Sequence, residues 1–190
     1  MTDVSQHFLD EVRRQLCGHK RLGEGAMAQL QDAELARSRI QFCSDSREAP
    51  RRNMRSRFTD FLTTDGEKPD RHRDREFELA ANTTRDEVMR CWEQGWGCVL
   101  AALDSLTPEP LLPTVYIGEE PLTVLRALNR ALAHYAFHVG QIVFLAKHLR
   151  SQEWKTSSVP RGESEEFNRK FVEERHRRRS VSGKESSRKS

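Results

Sequence analysis

Two histidines, His134 and His138 in the stretch HYAFHVGQ, stand four residues apart. On an α-helix that spacing places both imidazoles on one face, one turn apart, where they can hold a single divalent ion. Imidazole suits zinc and nickel, but catalytic sites of this kind use three protein ligands and keep one position for water. A third group is therefore needed. His7, His19, His72, His148 and His176 have no neighbour at ligand spacing and are expected in ordinary surface or packing roles. On spacing alone, two ordinary histidines, packed or half exposed, are the commoner outcome for such a pair.

Other chemistry finds little support. No Ser, His and Asp arrangement stands on strand-to-helix elements, no glycine-rich loop is built to cradle phosphate, and RGES at 161–164 is too short to count. The catalytic residues therefore stay unknown, and no organic cofactor is expected. Cys17, Cys43, Cys91 and Cys98 form no CxxC pair, which argues against a thiolate zinc site, and they are expected to be reduced. Cys91 and Cys98, seven apart, share one helical face and read as small core residues rather than a redox pair. Trp92 and Trp96 could stack a ligand, but large core residues are the commoner outcome.

The elements that must carry the histidine pair are helical. From Pro121 onward, Leu125, Leu128, Leu132, Tyr135, Val139, Ile142, Ala146 and Leu149 recur three and four apart, the longest such pattern in the chain. Pro121 suits the first turn of this helix, with Glu119 and Glu120 at its positive end. His134 and His138 lie in the adjacent column with Ala127, Ala131 and Leu145, at the border of the apolar stripe, so both rings are expected to face the interior or its rim.

Three further helices precede it. Residues 5–30 show an amphipathic pattern weakened by Gly18, Gly23 and Gly25. Met54, Phe58, Phe61 and Leu62 mark a short helix that stops near Asp65-Gly66 and Pro69. Thr84 and Glu87 form a capping box for a helix whose stripe is Val88, Trp92, Trp96, Val99, Leu103 and Leu106. Between them, residues 36–52 show no sustained period and read as irregular, and residues 65–78 read as a solvated loop. No run alternates as a strand does; TVYI at 114–117 is short and isolated. The expected fold is all-α, a four-helix bundle followed by a C-terminal strap from residue 155, a short helix starting at Ser164, and a disordered basic tail. The bundle domain with its strap is placed at residues 1–168, and the helix end and tail at 169–190.

Composition agrees with one domain. The chain has 190 residues, of which 36% are hydrophobic and 32% charged, with a mean hydropathy of -0.78, so part of it packs and the rest is solvated. The longest apolar run, residues 98–103, is far below the roughly 18 to 20 that a spanning helix needs. The N-terminal MTDVSQHFLDEV is unlike a secretory signal, and a cytoplasmic protein is expected. Residues 175–190 hold seven basic residues and one acid, a local charge of +6 within a total of +3, which leaves -3 on the body. Any weak nucleic-acid contact is expected through that tail.

The stretches RNMRSRFTDFLTTDGEKPDRHRDREFE, CWEQGW, LNRALAHYAFHVGQIVFLAKHL and VPRGESEEFN closely resemble a branch of the DinB-like (YfiT-like) superfamily, small and largely uncharacterised bacterial proteins. The resemblance runs from the first helix to Asn168. It implies a four-helix bundle, often a homodimer, with a divalent metal such as zinc or nickel held by three histidines. Two of these fall on His134 and His138. The third, four residues before the Asn-Met pair, is Ala49 here, and the position before Thr123-Val124, often a histidine in relatives, is Leu122. Gly118-Glu119 stands where relatives carry Arg-Gly. The departure is concentrated in residues 36–52, as either a locally shifted reading frame or true divergence would produce.

Relatives in that superfamily include thiol-dependent S-transferases and maleylpyruvate isomerase, in which a metal would lower the pKa of a bound thiol. The resemblance thus implies a metal-binding protein acting on a small molecule, with an incomplete histidine site and metal affinity reduced by the missing ligand. The alternative is an inactive bundle serving as a structural or binding module.

Overall fold

Thr84 and Glu87 satisfy each other. The Glu87 backbone N–H donates to the Thr84 hydroxyl at 3.3 Å, and the Thr84 backbone N–H donates to the Glu87 carboxylate at 2.9 Å. This capping box starts one of six α-helices in the computed structural model, which describes residues 2–37, 49–68, 84–107, 111–156, 159 and 162–186. They are α1 (Thr2–Met27), α2 (Asp32–Arg37), α3 (Ala49–Phe58), α4 (Arg85–Asp104), α5 (Val124–Arg150) and α6 (Ser164–Ser186). Between α4 and α5 lies a hairpin of β1 (Thr114–Ile117) and β2 (Glu120–Thr123). Two compact units result, Met1–Trp154 and Lys155–Ser190.

In the first unit, α1 packs chiefly on α5 and α3 on α4, with further contact between α1 and α4. The expected stripe of α4 is buried from Val88 through Trp92, Trp96 and Val99 to Leu103, and Leu106 is half-buried beyond the helix end. On α5, Leu128, Tyr135, Val139, Ile142 and Ala146 are buried, whereas Leu125 and Leu149 at its ends are exposed. Arg85 ties the start of α4 to the end of α1: its guanidinium donates to the carbonyls of Met27 and Leu30 and to Asp32, a cation placed at the negative end of the α1 dipole. α1 runs unbroken through its three glycines. No helix of the described residues is long and apolar enough to cross a membrane.

Four expectations need correction. The chain is mainly helical rather than all-α, because TVYI pairs antiparallel with Glu120–Thr123, Tyr116 opposite Pro121. Gly118 and Glu119, both at positive φ (63° and 64°), form the two-residue turn that this pairing requires. Pro121 therefore sits in a strand of a two-stranded ribbon, where an outward-facing position needs no N–H. The helix starts later, at Val124, with the Thr123 hydroxyl accepting from the Arg126 backbone N–H at 3.2 Å.

The segment 36–52 is not irregular throughout. Ala36 and Arg37 end α2, and residues 49–52 already belong to α3; Pro50 falls in its first turn, where a missing N–H costs nothing. Residues 38–48, and residues 69–83 of the expected solvated loop, lie outside the described residues. The basic tail is helical to Ser186 rather than disordered beyond residue 180. Glu165 and Glu166 occupy the positive end of α6, and Glu166 pairs with Lys170 at 2.7 Å, so local charge supports a helix whose described side chains are almost all exposed.

Candidate functional site

The sequence after α3 builds one wall of a cleft. The Ser56 hydroxyl, buried on α3, donates to the carbonyl of Gly66 at 2.7 Å and accepts from the Lys68 backbone N–H at 3.0 Å. This folds residues 59–68 back along α3. Asp65 then reaches the hairpin: its carboxylate accepts from the backbone N–H groups of Gly118 and Glu119 at 2.7 Å each, and from Glu67 at 2.6 Å. The Gly66 N–H donates to the carbonyl of Tyr116 at 2.8 Å. Burial pushes the Asp65 carboxyl up, but the three N–H donors and the nearby Arg57 charge outweigh it and hold its pKa below the ordinary value. The hairpin is thereby pinned beside α3.

Opposite stands α5. Between the two lies a cleft of about 100 Å³. Asn53, Arg57 and Phe58 of α3 and Phe61 of the following turn line one side, Ile117 of β1 closes an end, and Ala127, Arg130, Ala131, His134 and Tyr135 of α5 line the other. Two alanines at 127 and 131 leave the space that larger side chains would fill. Phe58, Phe61 and Tyr135 are all buried, with Phe58 5.3 Å from Phe61 and 6.4 Å from Tyr135 between ring centres. Arg57 is held by Glu67 at 3.4 Å, and Arg130 by Glu120 at 3.0 Å.

His134 lies exposed at the rim of this cleft, and His138, half-buried, stands one turn on. Their ring centres are 4.5 Å apart with planes at 87°. The Nδ1 of His138 lies 3.0 Å from the side-chain oxygen of Gln141. An amide oxygen can only accept, so this contact needs Nδ1–H as donor and leaves Nε2 as the ring nitrogen that a metal would use. The column expected at the border of the stripe thus starts buried, at Ala127 and Ala131, and ends at the rim. Ala49, where the resemblance led to the expectation of a third histidine, is the first residue of α3, one turn before the cleft-lining Asn53.

The two imidazoles supply half of a tetrahedral shell. Among the described residues no group of three His, Cys, Asp or Glu side chains is placed to hold a metal ion, so these residues alone do not make a complete site for a resident zinc or nickel. Of the other histidines, His7, His148 and His176 are exposed, His19 is half-buried with its pKa lowered by burial, and His72 lies outside the described residues. Trp92 and Trp96 are core residues, 1% and 0% exposed, with the Trp92 indole N–H donating to Glu24 at 3.2 Å. Cys91 and Cys98 are half-buried against the core and Cys17 is half-buried, while Cys43 lies outside the described residues.

Sequence reasoning missed Asn53, Arg57 and Arg130. A signal was present: Asn53 and Arg57 are four apart on a helix whose neighbouring positions, Met54 and Phe58, are apolar, so polar groups sit at the edge of a core-facing stripe. Arg130 likewise lies between Ala127 and His134 at helical spacing.

Compared with curated proteins and with solved structures, the chain shows no significant match. A family model described as Protein of unknown function (DUF1572) matches residues 3–163, which is most of the chain, and this protein belongs to that family.

Proposed function

We propose that this protein is a DinB-like four-helix bundle, built from α1, α3, α4 and α5, that takes a small molecule into the cleft between α3 and α5 and binds zinc or nickel weakly at its rim through His134 and His138. The observation that carries the reading is the double position of His134, which lines the cleft and faces His138 at 4.5 Å. The resemblance of the NMRSRF and HYAFHVGQ stretches supports it further. A thiol S-transferase or related activity, in a bacterial cytoplasmic homodimer, is the function that resemblance favours, with weak nucleic-acid contact confined to the basic tail. A second reading, an inactive bundle that serves as a binding module, is favoured by the want of a third ligand among the described residues.

Ala49 separates the two. It is the first residue of α3, so Ala49→His adds a histidine one helical turn before Asn53. Calorimetric titration of untagged protein with zinc or nickel should show affinity rising at least about tenfold, or 1.4 kcal/mol, because a third bond is added to the shell. His138→Ala in that background should abolish the gain, since shared coordination is non-additive. Equal metal binding with and without His138 would sink the metal reading.

A further inference from the structure

We infer that the cleft receives a small organic anion, a carboxylate carried on a flat apolar body, with Arg130 and Arg57 binding the charge. This deepens the reading of the cleft as the ligand site, on which it rests. The lining carries two guanidinium groups, one imidazole and one amide, and no carboxylate among the described residues. Glu67 and Glu120 hold the two arginines without themselves lining the cleft. Their effect differs. Arg57 and Glu67 are largely withdrawn from water, at 17% and 22% side-chain exposure, so that pair fixes the position of a cation in the wall. Arg130 and Glu120 are each 53% exposed, and an ion pair that open is weak. An incoming carboxylate can replace Glu120 on the Arg130 fork at little cost, and the planar guanidinium matches it with two parallel N–H donors.

The remaining wall decides what the charge is attached to. Phe58, Phe61 and Tyr135 present ring surface, and Ala127 and Ala131 set the width. An inorganic anion would leave this apolar surface in water, and a neutral hydrocarbon would desolvate arginine with nothing in return. A volume of about 100 Å³ is of the same order as the roughly 150 Å³ cavity that holds benzene in an engineered protein interior, so one ring or its aliphatic equivalent fits.

Benzoate is the probe, titrated at low salt with a chelator present into the full chain and followed through the methyl resonances of Ile117, Ala127 and Ala131. Benzyl alcohol and inorganic phosphate serve as the uncharged and the bodiless comparisons. Benzoate should saturate with a dissociation constant on the order of millimolar, at least about tenfold tighter than either comparison. Arg130→Met, at the half-exposed rim, should weaken benzoate about tenfold while leaving benzyl alcohol unchanged, and Arg130→Lys should restore part of the loss. Benzoate and benzyl alcohol binding alike, phosphate binding tighter than benzoate, or Arg130→Met leaving benzoate unaffected would each overturn the inference. The chelator keeps this independent of the metal: benzoate binding without His138-dependent zinc binding removes only the metal reading, and the reverse result removes only this one.

Discussion

At the scale of the residue, Asp65 shows how one side chain sets a site it does not line. Glu119 holds φ 64°, a conformation that costs a non-glycine residue roughly 1 kcal/mol, and the turn it occupies is kept by the Asp65 carboxylate, which accepts from both Gly118 and Glu119. Because the folded-state pKa of Asp65 is depressed, its contribution is fully present above the ordinary carboxylate value of 3.8 and is lost as pH falls through the lower folded value. Asp65→Asn keeps one acceptor and exchanges the other for a donor facing a backbone N–H. Urea unfolding near neutral pH should show a loss of about 1–3 kcal/mol. Variant and parent should converge well below pH 3.8, where the parent carboxyl is also protonated; a difference that stays constant through the acid range would show that the charge is irrelevant. In the sequence Asp65-Gly66 was legible only as the end of a helix, because a turn dipeptide declares its local geometry and not a partner fifty residues on.

Helices and hairpin differed in legibility for a related reason. The capping box at Thr84 and Glu87 and the stripe from Val88 to Leu103 are local patterns, and both are found where the spacing places them. The hairpin escaped because Glu119 is a poor turn residue and Pro121 a good helix starter, so both local preferences pointed to a helix that the pairing of Val115 with Leu122, each buried, overrides. Glycines in α1 show the same limit. Sequence alone treats Gly18, Gly23 and Gly25 as equal defects, yet a Cβ at Gly23 would stand 2.5 Å from the Trp92 ring, while Gly25 has nothing within 4 Å. Gly25→Ala should therefore raise stability by about 0.5–1 kcal/mol through helix propensity. Gly23→Ala should lower it by about 1–3 kcal/mol as Trp92 is forced aside. Thermal melts of the two variants check this, and equal shifts of the same sign would refute the close approach of α1 and α4 at Trp92.

For the whole molecule, charge and packing divide the chain along different lines. The apolar core belongs to the unit Met1–Trp154, whereas the excess of positive charge lies in residues 175–190 of the unit Lys155–Ser190. Half of this was legible: the basic run, with Val181 the one apolar residue beyond Val172, shows that the end can add little to a core, but its helix was not foreseen past residue 180. Periodic burial is what sequence patterns report, and α6 is a helix with almost none of it; Phe167 and Phe171 stack on each other at 6.2 Å and stay about half exposed. Arg175, His176 and Arg177 are exposed. Deleting residues 175–190 should consequently leave the unfolding free energy of the remainder within about 1 kcal/mol of the parent, because little apolar surface is returned to water. The same deletion removes a charge of +6, so the net charge becomes -3 and retention on a cation-exchange matrix near neutral pH should be lost. A fall in stability well beyond that limit would mean that the end of α6 is covered by another part of the molecule or by a second copy of it.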